Sequence, residues 1–122
     1  MDSILTSIKR LLGITDECKD FDDELVVHIN SALAILSQLG VGPEKGFSIT
    51  GDAETWNNFM VDDARLGFVK SYIHLKVRLL FDPPASSSHV EAINRTVNEI
   101  EFRIIAQVDY NKTENKEGDT NG

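Results

Sequence analysis

The stretch Leu66-Gly67-Phe68-Val69-Lys70-Ser71-Tyr72-Ile73-His74-Leu75-Lys76-Val77-Arg78-Leu79-Leu80-Phe81-Asp82-Pro83-Pro84 decides the fold. At about 100° per residue, Leu66, Val69, Ile73, Val77 and Leu80 share one face of a helix, and Phe68, Tyr72, Leu75 and Leu79 occupy the adjoining face. That apolar sector is wider than a surface helix needs, so the spacing predicts the central helix of the fold. Asp62 and Asp63 are placed to open it. Asp82-Pro83-Pro84 ends it, because proline lacks the backbone donor and disfavours helical geometry in the residue before it. Lys70, Ser71, His74 and Arg78 gather on the polar strip, while Lys76 falls inside the apolar sector.

Helical periodicity extends on both sides of this segment. Downstream, Ser88 and Glu91 have the spacing of a capping box for a helix whose Val90, Ile93, Val97, Ile100 and Ile104 form a narrow seam suited to helix–helix packing. Glu91, Arg95, Glu99 and Arg103 alternate in sign at intervals of four on its exposed side. Upstream, Phe21, Leu25, Ile29, Ala32, Leu33, Leu36 and Leu39 draw a stripe from an Asp20 or Asp22 cap to a stop at Gly40. Ile4, Leu5, Ile8, Leu11 and Leu12 mark a short first helix between an Asp2 or Ser3 cap and Gly13. Asp52 is placed to cap a brief helix with Trp56, Phe59 and Met60. Val41 to Gly51 reads as a loop in which Phe47 and Ile49 alternate with polar residues, the pattern of a short extended piece. The fold class is all-α: a bundle of about four to five helices in one domain, residues 1–110, followed by a disordered tail, residues 111–122, that contains no apolar residue. No internal repeat is present.

Composition narrows the function. The chain has 122 residues, 41% of them apolar, and a formal net charge of −8. Residues 1–64 hold four basic and twelve acidic side chains, and residues 65–110 six basic and five acidic, so the negative charge lies in the front half. Non-specific grip on duplex DNA requires phosphate-neutralising Lys and Arg, and this balance argues against it. A single cysteine, Cys18, gives neither an intramolecular disulfide nor a Cys-rich zinc site. Met1-Asp2-Ser3-Ile4 does not begin a secretory leader, and no apolar run approaches membrane length, so a soluble protein made inside the cell is expected.

Candidate chemistry is sparse. Asp16, Glu17, Asp20, Asp22, Asp23 and Glu24 suggest calcium, but Phe21 interrupts the oxygen ligands and the glycine of an EF-hand turn is missing. These carboxylates instead suit a helix N-terminus and an acidic surface. Glu24 and His28 are spaced as two metal ligands on one helical face, but no second pair accompanies them. Cys18 lies among carboxylates with no activating base beside it, and no nucleophile elbow, Walker loop or His-Glu-x-x-His occurs. No catalytic residue, metal or cofactor is therefore expected. Lys76 either snorkels to the edge of the core or pairs with a carboxylate of the first half or of a neighbouring subunit. Phe102 lies behind the seam of the last helix, and Ile105 and Val108 widen the apolar area there, an arrangement suited to assembly.

The run Val69 to Pro84, together with Ile8-Lys9-Arg10-Leu11-Leu12-Gly13-Ile14, Asp22-Asp23-Glu24-Leu25 and Gln38-Leu39-Gly40-Val41-Gly42, resembles the head–tail connector family of tailed phages and prophages, also called adaptor or head-completion proteins. The resemblance spans roughly Ser3 to Gln107, and Arg78 matches the late arginine of the family's central helix. Phe81-Asp82-Pro83-Pro84 departs from the aromatic-rich ending of many members. The resemblance implies an all-α subunit of a ring beneath the portal, which extends the DNA channel and docks a stopper or the tail. It implies self-association, on the portal if not before, and a place at the head–tail junction of a virion assembled in the bacterial cytoplasm. By analogy with the portal-engaging C-terminal helix of such proteins, Phe102, Ile105 and Val108 become portal or subunit interface candidates, with Lys76 and Arg78 beside them. The acidic cluster from Asp16 to Glu24 becomes a candidate channel lining past which DNA slides without sequence-specific binding. A competing reading is a DNA-packaging or regulatory DNA-binding protein similar to a terminase small subunit, for which Lys70, His74 and Arg78 are the available basic stripe. A metal-dependent hydrolase built on Glu24 and His28 is a third.

Overall fold

A computed structural model describes residues 3–60 and 65–121, with side chains described as far as Gln107. Its helices are α1 (Ile4–Leu11), α2 (Asp22–Gln38), α3 (Trp56–Phe59), α4 (Leu66–Phe81) and α5 (Ser87–Asn121). No strand forms among the described residues; Ser3 and Thr55 make one isolated antiparallel bridge. The all-α expectation holds, and α4 is central: it packs against α1, α2 and α5.

The core follows from the apolar stripes. Val69, Tyr72, Ile73 and Val77 of α4 are buried against Leu25, Ile29, Leu33 and Leu36 of α2 and against Val97, Ile100 and Ile104 of α5, in one cluster that Ile4, Leu5 and Ile8 of α1 close. Each large side chain so buried contributes roughly 1.5–3 kcal/mol relative to exposure. Tyr72, fully buried, keeps its hydroxyl satisfied by donating to Glu101 Oε1 at 2.8 Å, which ties α4 to α5. Burial, then the Glu101 carboxylate, push the phenol well above the ordinary tyrosine range.

The long connection between α2 and α3 is held by specific bonds. Asn30 clamps Ile49: the Ile49 N–H donates to Asn30 Oδ1 at 2.7 Å, and Asn30 Nδ2 donates to the Ile49 carbonyl at 2.9 Å. This pair does the work that a sheet partner would do, so the extended piece expected around Phe47 and Ile49 stays a loop. At the far end, the Ile4 N–H donates to the Glu54 carbonyl at 3.0 Å, and Trp56 Nε1 donates to Ser7 Oγ at 3.0 Å.

Helix ends match expectation in part. Ser3 caps α1 by accepting from the Thr6 N–H, and Gly13 and Gly40 follow α1 and α2 with left-handed φ of 80° and 89°. Three caps differ. Phe21, not an aspartate, precedes α2, because Asp22 is already inside the helix and faces Lys9. Thr55, not Asp52, caps α3, in a reciprocal capping box with Asn58. Ser88 lies inside α5, which begins at Ser87, and its hydroxyl meets that of Ser86 at 2.9 Å. Asp62 and Asp63 lie outside the described residues; α4 begins after Arg65.

The helical backbone of α5 continues to Asn121, across the segment 111–121 that the composition reads as a tail. That segment has no apolar residue in its sequence, and a helix without an apolar face is marginal in water.

Candidate functional site

The buried seam of α5 fixes which residues α5 presents outward. With Ile100 and Ile104 turned into the core, Phe102 is directed away from it and is 72% exposed; Ile105 is 42% exposed. Phe68, at the start of α4, joins them at 45% exposure. A groove of about 430 Å³ opens here, lined by Phe68, Phe102, Ile104 and Ala106, with Arg65 and Arg103 among its polar residues. The Arg103 guanidinium donates to Glu99 Oε1 at 2.8 Å, an exposed pair of small net worth. Val108 lies outside the residues whose side chains are described. Phe68 was assigned to the core by periodicity; the α4 sector is wider than its three helical neighbours cover, which leaves this ring in solvent.

Lys76 and Arg78 do not line this groove. The Lys76 ammonium lies 5.9 Å from the centre of the Tyr72 ring on its own helix, a snorkelling arrangement without an ion pair to the first half among the described residues. Arg78 is partly buried, and its Nε has no hydrogen-bond partner among the described residues. His74, one turn earlier, also buries an unpartnered Nε2. The basic stripe that a DNA-binding reading needs is thus partly absorbed into the bundle, and its third member, Lys70, covers the Trp56 ring at 5.3 Å.

Burial, and secondarily the Arg78 charge, hold the His74 imidazole below the ordinary histidine range. The unfolded chain therefore takes up a proton that the folded one resists, so stability is unaffected above the ordinary value of 6.5 and falls as pH drops below it. Urea titrations between pH 7 and 5.5 are expected to show this loss, and His74→Gln to flatten it.

The acidic cluster divides into two groups. Lys9, only 2% exposed, is the one buried charged residue among those described, and its ammonium donates to the carbonyls of Asp16 and Cys18 while pairing with Asp22 Oδ1 at 2.9 Å. That carboxylate oxygen is buried and accepts no hydrogen bond in standard geometry among the described residues, so the ammonium is its compensating charge. The Arg10 guanidinium grips Asp16 through a pair of bonds of 2.9 and 3.3 Å and holds its carboxyl below the usual carboxylate range. Of the proposed channel lining, Asp22 is therefore structural and Asp16 is held in an exposed ion pair, while Glu17, Asp20, Asp23 and Glu24 remain exposed. Glu24 faces His28 at 3.4 Å, and no group of three or more His, Cys, Asp or Glu placed to hold a metal occurs among the described residues. Periodicity did not single out Lys9. Its one signal is position, one turn after Leu5 and next to Ile8, with an acidic segment close behind.

No described helix is long and apolar enough to cross a membrane. No curated protein and no solved structure matches the chain. A family model does: the one described as phage connector protein matches residues 4–111, a span that holds α1 to α4, the α5 seam and the exposed shoulder. The chain thus belongs to the phage connector protein family, a structural family of the phage particle.

Proposed function

We propose that this protein is an adaptor that forms a ring beneath the portal, continues the DNA channel and presents the docking surface for the stopper or tail. The observation that carries the reading is the shoulder of Phe102 and Phe68, two large apolar side chains left in solvent around one groove, with Ile105 also exposed on α5, in a fold that buries its core elsewhere. A central aromatic of this kind is the usual anchor of an assembly contact. The mechanism is binding, with repeated contacts between neighbours closing the ring and α5 directed towards the portal.

Charge supports the same reading. The first 64 residues carry a net of −8. With Asp16 and Asp22 engaged by Arg10 and Lys9, the field that remains at the surface comes from Glu17, Asp20, Asp23 and Glu24 among the cluster. A channel lined with such carboxylates repels phosphate and lets DNA pass. The role calls for no cofactor and no reacting residue, and it places the protein at the virion head–tail junction after synthesis in the host cytoplasm.

Phe102→Asp tests the reading. Binding of the purified variant to DNA-filled, tailless heads is expected to fall at least about thirty-fold, the effect of losing an anchor worth about 2 kcal/mol. Circular dichroism should be unchanged, because the side chain lies outside the core. Undiminished binding would remove the shoulder from the assembly surface.

A further inference from the structure

We propose that Arg78 and His74, one turn apart on α4 and away from the groove at Phe68 and Phe102, form a half-buried site for a small oxyanion of the phosphate class. A guanidinium stays charged in a folded protein, so drawing it out of water without a counter-charge is costly. The fold meets that cost for Lys9, whose ammonium faces Asp22 and two carbonyls. Arg78 receives no such compensation. Its Nε is buried without a hydrogen-bond partner, and no ion pair reaches the guanidinium among the described residues. Asp82, four residues on, is exposed, and its bond to Arg78 is a main-chain one, from its N–H to the Arg78 carbonyl at 2.9 Å. The negative end of the α4 dipole, roughly half a charge, offsets part of the guanidinium and leaves its Nε–H unsatisfied.

His74 repeats the pattern. Its Nε2 is buried without a partner, and side chains at this spacing are neighbours on one helical face. Burial and then the Arg78 charge hold the imidazole below the ordinary histidine range, with no carboxylate opposing them. A neutral imidazole that carries its proton on Nε2 is a donor. The face therefore offers a guanidinium edge and an imidazole N–H, both unsatisfied, on residues that are half-buried rather than sealed. A planar carboxylate spends both oxygens on the guanidinium fork, whereas a tetrahedral oxyanion has a further oxygen for the imidazole. A nucleic-acid backbone carries the same phosphate chemistry, but as a polyanion, which the net −8 of the first 64 residues repels. The free ion is the occupant these groups fit.

Titration of the full chain with sodium phosphate, against sodium chloride at equal ionic strength and pH, tests this. In phosphate, wild-type protein is expected to unfold at a higher urea concentration. Its His74 imidazole, followed by NMR, is expected to titrate at a higher pH, since a bound anion favours the imidazolium. Arg78→Met is expected to be at least as stable as wild type in chloride, because it removes an uncompensated charge. It is expected to bind phosphate at least about tenfold more weakly, the usual cost of losing a charged hydrogen bond. Lys70→Met, on the same strip but over the Trp56 ring, is expected to keep the full phosphate effect. An equal phosphate effect in wild type and Arg78→Met is general salt exclusion and overturns the proposal. So does loss of the effect in Lys70→Met, or a His74 titration that phosphate leaves unchanged. An Arg78→Met chain that is unfolded, or less stable than wild type in chloride, also overturns it, because contacts of the fold would then hold the arginine. A short DNA duplex that moves the His74 titration where phosphate does not overturns it in favour of a backbone contact. The connector reading is tested separately, by head binding of Phe102→Asp, and stands or falls apart from this site.

Discussion

Lys9→Ala is expected to lower stability by about 3–5 kcal/mol, the cost typical of removing one partner of a buried ion pair. The ammonium donates to the carbonyls of Asp16 and Cys18 and supplies the compensating charge for the buried Asp22 carboxylate oxygen 2.9 Å away. Those acceptors lie in the connection after α1 and in the first turn of α2, so one side chain sets how the first two helices meet. Without it, two carbonyls and a carboxylate lose their partner and the lysine stem leaves a gap between them. Against a total of about 5–15 kcal/mol for an ordinary domain, such a loss is severe, and the midpoint of thermal unfolding should drop by at least about 10 °C. Asp22→Asn is expected to cost less, since it removes the carboxylate charge facing Lys9 while both carbonyl bonds remain. Equal effects of the two substitutions would show that the carboxylate, and not the loop carbonyls, is what the lysine holds.

That this lysine was not legible as a structural centre has a physical reason. A cation on an apolar helix face reads equally well as a snorkelling side chain, as Lys76 is, and the main-chain carbonyls that Lys9 binds have no sequence signature. The central helix was legible because burial on several sides imposes an apolar sector that periodicity detects directly. Phe102 was legible for the complementary reason, since a residue behind a narrow seam cannot reach the core that the seam faces. Phe68 was not, because periodicity gives the width of an apolar sector and not how much of it the neighbouring helices cover.

The caps show a further limit. Asp52 and Thr55 both have the chemistry of an N-cap, and the choice is made by tertiary contacts, since the Ser3–Thr55 bridge and the Ile4–Glu54 bond fix where the chain enters α3. The acidic cluster was legible as charge but not as two populations. Sequence spacing does not reveal that the connection after α1 folds back to bring Asp16 to Arg10 and Asp22 to Lys9. For the connector reading this division matters: neutralising Glu17, Asp20, Asp23 and Glu24 alters the surface field at little cost to the fold, whereas neutralising Asp22 confounds the two.

Gly42→Ala is expected to cost about 2–5 kcal/mol, from two additive sources. Gly42 has φ of +88°, a conformation that costs an L-residue roughly 1–2 kcal/mol. A Cβ there would also stand 2.4 Å from Phe59 Cε1, well inside contact distance. The ring has little room to retreat, because Phe59 is buried and also packs against Phe47, with centroids 5.3 Å apart. Overpacking of a filled site typically adds about 1–3 kcal/mol. Gly13 provides the control: its φ is +80°, but a Cβ there meets nothing within 4 Å. Gly13→Ala should therefore show the conformational cost alone, and the difference between the two variants in urea denaturation reports the steric contact with Phe59. Phe59→Leu in the Gly42→Ala background is expected to recover part of that difference. Equal losses at the two glycines, with no recovery, would show that the loop yields around the ring and that the contact does not fix the path of the chain into α3.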